Sequence, residues 1–212
     1  MDTDIGQDVI SRHAKEITHL QKGAHVKFEY LRPLHAHHAI VTDINTDNHT
    51  FDCIHFTSGF TDAISKGDIP KTSIKTETVE FGKEGSYKNV LVVEYKMGIA
   101  LSTMKLNRFP NRVAIAIAKH FEKNPDACQS FNLLTYNCEH FVFSCTTGYA
   151  ICLQQLEPMM RLVKTMRSKD FLVDIADCIQ KSMEKNRVQV VEYKEGMNYF
   201  TLISSKVKIN LN

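Results

Sequence analysis

Apolar residues along this chain change period several times, and each change marks an element. Val26, Phe28 and Tyr30 alternate with polar neighbours between Ala24 and Leu31, the period of a half-buried strand. Arg32-Pro33 ends that strand. His37 to Asp43 and Thr50 to Phe56 predict two more strands, and the Asn45-Thr46-Asp47-Asn48 run between them has turn composition. Val90-Leu91-Val92-Val93-Glu94-Tyr95 reads as a buried strand. Residues 1–22 are polar and predict a short helix or a loose arm. Residues 57–88, rich in Gly, Ser, Lys and Thr, predict mostly loop.

The period then lengthens. Val113, Ile117 and Phe121 are spaced by four within Asn107 to Glu122, one face of a helix with Asn111 as a candidate cap. Asn124-Pro125-Asp126 breaks it. Phe131 to Tyr136 returns to strand character, and a helix is expected to open at or near Cys138. Val142 and Cys145 fall on its inner side, and Gly148 is its stop. Beyond it, Leu156, Met159, Met160, Val163 and Met166 recur at helical spacing, and a further helix is expected over Phe171 to Met183. Val188 to Ile209 predicts two strands around Lys194-Glu195-Gly196-Met197-Asn198. The expected division is an arm over 1–21, a core over 22–149 and a helical and β-hairpin extension over 150–212.

Composition narrows the classes. An apolar fraction of 43% in 212 residues supports a sizeable core. Lys+Arg 26 against Asp+Glu 24 gives no electrostatic reason to expect a nucleic-acid partner. The six cysteines (Cys53, Cys128, Cys138, Cys145, Cys152, Cys178) form no CxxC pair, and the first residues carry no apolar signal core. A reduced, cytoplasmic protein is expected. No stretch reaches the ~20 apolar residues of a transmembrane helix.

The candidate chemistry sits at Asn137-Cys138-Glu139-His140-Phe141. A cysteine where a strand gives way to a helix lies near unpaired N–H groups and the positive end of the helix dipole, which favour thiolate. That field amounts to ~0.3–2 kcal/mol, under two pKa units, so a histidine must supply the rest. Candidates lie far upstream, at His35, His37, His38 and His55. Neighbours on a strand point to opposite faces, so only one of His37 and His38 can face Cys138, and alternation alone does not choose. His55, on the next strand, could orient the first imidazole. His35, His37, Cys53 and His55 offer metal-ligand atoms, but their spacing matches no zinc pattern. No metal and no cofactor are expected.

Asn137-Cys138-Glu139-His140-Phe141-Val142 resembles the cysteine box of the lecithin:retinol acyltransferase-like family. That family includes the H-Ras-like suppressor phospholipase/acyltransferases and is a permuted branch of the NlpC/P60 papain-like thiol hydrolases. His37-His38-Ala39-Ile40-Val41 resembles its His-Trp-Ala-Ile/Leu-Tyr box, and Asp52-Cys53-Ile54-His55-Phe56 its second histidine segment. The resemblance covers residues 22–149. It implies an α+β fold with a permuted papain-like core, a small antiparallel sheet packed with helices and the nucleophile at a helix N-terminus. It further implies Cys138 as nucleophile, His37 as base and acid, and His55 as orienting group. The substrates implied are phospholipids or related acyl esters.

Three departures leave the triad intact but bear on a membrane lipid as the substrate. His38 takes the place of the tryptophan, the stretch between His37 and His55 is long, and no hydrophobic anchor is present. Two alternatives stand beside the lipid enzyme: a non-catalytic interaction module, against which the complete His37, His55 and Cys138 set argues, and a cysteine amidase or peptidase of NlpC/P60 type. Peripheral contact with a membrane through residues 153–183 stays open, with three aspartates (Asp170, Asp174, Asp177) weighing against it.

Overall fold

The computed structural model describes residues 9–29, 36–57, 73–82, 89–95, 107–128, 136–152 and 188–211. Strands β1 (Val9–His13), β2 (His25–Glu29), β3 (His37–Asn45), β4 (Thr50–Thr57), β5 (Ser73–Glu80) and β6 (Asn89–Tyr95) form one antiparallel sheet in the order β1-β6-β2-β3-β4-β5. Helices α1 (Asn111–Lys123) and α2 (Cys138–Thr147) follow. Strands β7 (Tyr149–Ala150) and β8 (Val188–Gln189) pair with each other. Strands β9 (Val191–Glu192), β10 (Tyr199–Leu202) and β11 (Val207–Asn210) form a small sheet. The class is α+β.

Each face of the main sheet carries its own core. Ile40, Ile54, Phe56 and Ile74 face the helices and meet Val113, Ile117, Phe121, Phe141, Val142 and Cys145. The opposite face gathers Val26, Phe28, Ala39, Val41, Phe51, Cys53 and Val79 under Ile17 and Leu20. Alternation along β3 therefore sorts its residues between two buried environments. The β3–β4 register places Ala39 opposite His55 and Ile40 opposite Ile54. Asn45 Oδ1 accepts from the Asn48 N–H at 3.0 Å in the connecting turn, as its composition predicts.

Helix α1 buries Val113, Ile117 and Phe121 together with Ala114 and Ala118. Burial of a large apolar side chain contributes ~1.5–3 kcal/mol, well above any helix propensity, so packing decides this helix. Asn111 is not its cap: it is the first helical residue, and its Oδ1 accepts from Arg108 Nη1 at 2.7 Å. Helix α2 is buried on every side from Glu139 to Thr147, because it packs on β3 and β4, on α1, and on β7 and β9. It ends at Gly148, whose φ of 82° lies in the left-handed region. A Cβ there would also collide with the Val191 carbonyl oxygen, so only glycine fits.

Three local expectations change. Residues 9–13 form edge strand β1 rather than a helix or loose arm, because they pair with β6. Ser73–Glu80 is a full strand where loop was expected. Only Ile74 and Val79 are buried in it, so its apolar signal is weak and its pairing with β4 makes it. The segment 188–211 holds β8 and a three-stranded sheet rather than two strands. His35, most of the expected strand at 131–136 and the expected helices over 153–183 lie outside the described residues.

Candidate active site

The motif around Cys138 is first a helix-capping device. Asn137 is the N-cap of α2, and its side-chain oxygen accepts from the N–H groups of Glu139 at 3.0 Å and His140 at 3.3 Å. The Asn137 N–H donates to His140 Nδ1 at 3.2 Å, closing a capping box with histidine in the position usually held by Glu or Gln. The His140 ring stacks on Tyr136, with centroids 5.8 Å apart. Burial lowers His140 to about 4, which keeps the ring neutral and able to accept. Cys138 is thereby held in the first turn.

Cys138 is half-buried as a residue, and its thiol lies against the main chain where β3 begins. Its Sγ donates toward the Ala36 carbonyl oxygen at 3.9 Å, and the His38 N–H hydrogen bonds back to the sulfur. The sulfur thus touches the backbone on both sides of His37. Burial nevertheless pushes this thiol up to about 12, and the nearby Glu139 carboxylate adds to the rise. The N–H groups of His38, Glu139 and Cys138 oppose it. The helix end favours the thiolate as the sequence suggests, but desolvation outweighs it, and the resting group is a thiol.

The two histidines that alternation could not separate go to opposite faces. His37 Nε2 lies 2.5 Å from His55 Nδ1, and His37 stacks on Phe28 with centroids 6.2 Å apart. His38, 3% exposed, turns toward the helices. Its Nδ1 lies 2.6 Å from His25 Nε2, His25 Nδ1 lies 2.6 Å from Tyr95 Oη, and Tyr95 Oη lies 3.0 Å from Thr146 Oγ1 on α2. Burial lowers His25 and His37 to about 3 and His55 to about 4, with Lys75 adding to the shifts of His37 and His55. His38 is also lowered well below its ordinary value. All four imidazoles are neutral at rest.

Sequence reasoning missed several members of this neighbourhood. Glu77 Oε2 lies 3.0 Å from His55 Nε2. Glu139, 3% exposed, accepts from the Cys152 thiol at 2.9 Å. His25 and Tyr95 complete the His38 chain. A recognised β5 would have placed Glu77 on the His55 face, two residues from buried Val79, but that strand has too few apolar positions to announce itself. Among the described residues, no group of three His, Cys, Asp or Glu side chains could hold a metal ion.

A profile described as lecithin retinol acyltransferase matches residues 18–151, which span β2 to β7 and include His25, His37, His38, His55, Glu77, Cys138 and Glu139. The chain belongs to the lecithin retinol acyltransferase family. Membership carries acyltransferase- and phospholipase-type chemistry on lipid acyl substrates at the general level of that family. No curated protein and no solved structure matches the chain. Among the described residues, no helix is long and apolar enough to cross a membrane.

Proposed function

We propose that this family member is a thiol-dependent acyltransferase or phospholipase A-type hydrolase that works through an acyl-enzyme on Cys138. His37 takes the thiol proton as the sulfur attacks the ester carbonyl of a phospholipid or related acyl ester. The S–acyl bond forms, the ester C–O bond breaks, and the lysophospholipid alkoxide leaves with the proton from His37. Water, an amine or an alcohol then attacks the thioester and gives its proton to His37; the new C–O or C–N bond forms, the C–S bond breaks, and the Cys138 thiolate leaves with that proton from His37. His55 holds the His37 ring through the 2.5 Å nitrogen contact.

The observation that carries this reading is the position of the Cys138 sulfur against Ala36 O and His38 N, either side of a histidine already paired with His55. With the thiol raised and His37 lowered, an ion pair is not populated at rest. Proton transfer must accompany attack, as with a serine nucleophile, rather than precede it. The chain order of His37, His55 and then a helix-borne Cys138 suits a permuted papain-like core related to the NlpC/P60 hydrolases. We further propose residues 22–149 as the catalytic unit, 1–21 as an arm and 150–212 as an extension. A cytoplasmic protein touching membranes peripherally would meet such substrates.

The test is intact mass after incubation of the full chain with phosphatidylcholine vesicles. An added fatty-acyl mass, absent in Cys138→Ala, is expected. The second reading, an interaction module that keeps the motif for its fold, draws on the raised thiol and on the capping role of Asn137 and His140. No adduct, with Cys138 alkylated no faster than a free-thiol control, would select it.

A further inference from the structure

Every proton in a pair of neutral imidazoles has to be somewhere, and one carboxylate decides where these are. His55 Nδ1 meets His37 Nε2, so exactly one of those two nitrogens carries hydrogen. His55 Nε2 is buried and has no aligned hydrogen-bond partner, while Glu77 Oε2 stands 3.0 Å away, off the line of the ring N–H. Glu77 reaches this place because β5 runs antiparallel beside β4. His55 lies opposite Lys75 and Cys53 opposite Glu77, so all four side chains share one face.

Two proton arrangements satisfy the His37–His55 contact. In one, His55 donates from Nδ1, His37 carries its proton on Nδ1, and His55 turns a bare lone pair on the Glu77 oxygen. In the other, His55 carries its proton on Nε2, toward Glu77, and accepts at Nδ1 from His37 Nε2–H. His37 Nδ1 is then bare. The first sets two electron-rich atoms against each other where His55 is only 5% exposed; the second replaces that repulsion with a charge-assisted attraction. Imperfect alignment weakens the attraction without changing its sign.

We infer that Glu77 is a positioning residue: its carboxylate selects the Nε2–H form of His55, which makes His37 donate from Nε2 and leaves His37 Nδ1 as the basic nitrogen. The inference rests on the proposed acyl transfer for its purpose, though not for its geometry. Among the described residues, the charged and titratable groups facing His55 are His37 from β3, Cys53 from β4, and Lys75 and Glu77 from β5. Lys75 disfavours a proton on either imidazole, so Glu77 is the group that draws one to Nε2.

The experiment is long-range proton–nitrogen NMR on the full chain with labelled histidine, beside alkylation of Cys138 by iodoacetamide across neutral pH. The expected result is an Nε2–H pattern for both His37 and His55, lost in Glu77→Leu, with Cys138 labelling slowed about tenfold. Glu77→Gln, whose amide oxygen can still accept from Nε2–H, restores both. Should the leucine variant fail to fold, Glu77→Thr suits an edge strand and serves the same comparison. His37 protonated on Nδ1 in the parent protein, or tautomers indifferent to Glu77 in a folded variant, overturns the inference. Tautomers that follow Glu77 in a protein that forms no acyl adduct on Cys138 would uphold it and sink the proposed activity instead.

Discussion

His37 and His38 are consecutive on β3 and serve opposite faces of the sheet. His37 pairs with His55 beside Phe28, while His38 reaches through His25 and Tyr95 to Thr146 on α2. His37 thus sits among the side chains of the face away from the helices, and His38 ties the strand to the helix that carries Cys138.

The two histidines should therefore fail differently. His37→Ala is expected to reduce Cys138 acylation and selective alkylation by about a hundredfold or more, the usual range for loss of a general base, and to cost ~1–3 kcal/mol of stability because His55 Nδ1 loses its buried partner. His38→Ala leaves His25 Nε2 buried without its partner and should cost ~1–3 kcal/mol of stability. Both variants should lose stability in urea titration, but only His37→Ala should lose selective alkylation; an equal fall in alkylation in folded His38→Ala would contradict the division.

Tyr95→Phe removes one hydroxyl between His25 and Thr146. If Thr146 Oγ1 donates to the Val142 carbonyl, 2.8 Å away, every proton in the chain points toward α2, and His25 Nδ1–H loses its acceptor in the variant. A loss of ~1–3 kcal/mol is expected, with Cys138 alkylation retained. A neutral substitution would show that water replaces the hydroxyl.

Stability should fall on mild acidification. His25 and His37 titrate at about 3 in the folded chain and His55 and His140 at about 4, against 6.5 when unfolded. These depressed groups stabilise the fold fully above pH 6.5. Below that the unfolded chain takes up protons that the native state refuses, and the contribution is lost as pH drops toward 4 and then 3. Urea midpoints measured from about pH 7 to about pH 4.5 should decline throughout; a flat profile would rule out neutral buried imidazoles.

Asn137→Ala removes the oxygen that accepts from Glu139 and His140. Loss of an N-cap costs about 1 kcal/mol. The first turn of α2 then loses its hold on Cys138, so alkylation and acylation should slow together. Asn137→Asp, which keeps the accepting oxygen, should restore stability. Thermal melts and labelling rates on the pair report both effects.

Local patterns were legible and weakly apolar edges were not. The spacing of Val113, Ile117 and Phe121 marks α1, and the strands at His37 and Thr50 with the turn between them stand as their composition suggests. Edge strands β1 and β5 escaped notice, since an edge strand with few buried side chains carries little alternation. With β5 went Glu77. Cys138, His37 and His55 were visible as residue types in family-like boxes, and the proposed catalytic roles are what the adduct and alkylation experiments test.

Neighbour-scale chemistry was written in the residues themselves: a helix opening near Cys138, a stop at Gly148, and a motif specific enough to name a family. These act within a turn or two of backbone, so no distant partner is needed to make them. The assembled sheet alone settled which imidazole turned to which side and how strongly the sulfur was desolvated. Strand alternation has no sign until a layer covers one face, and a thiol's acidity depends on burial by chain segments far away in sequence.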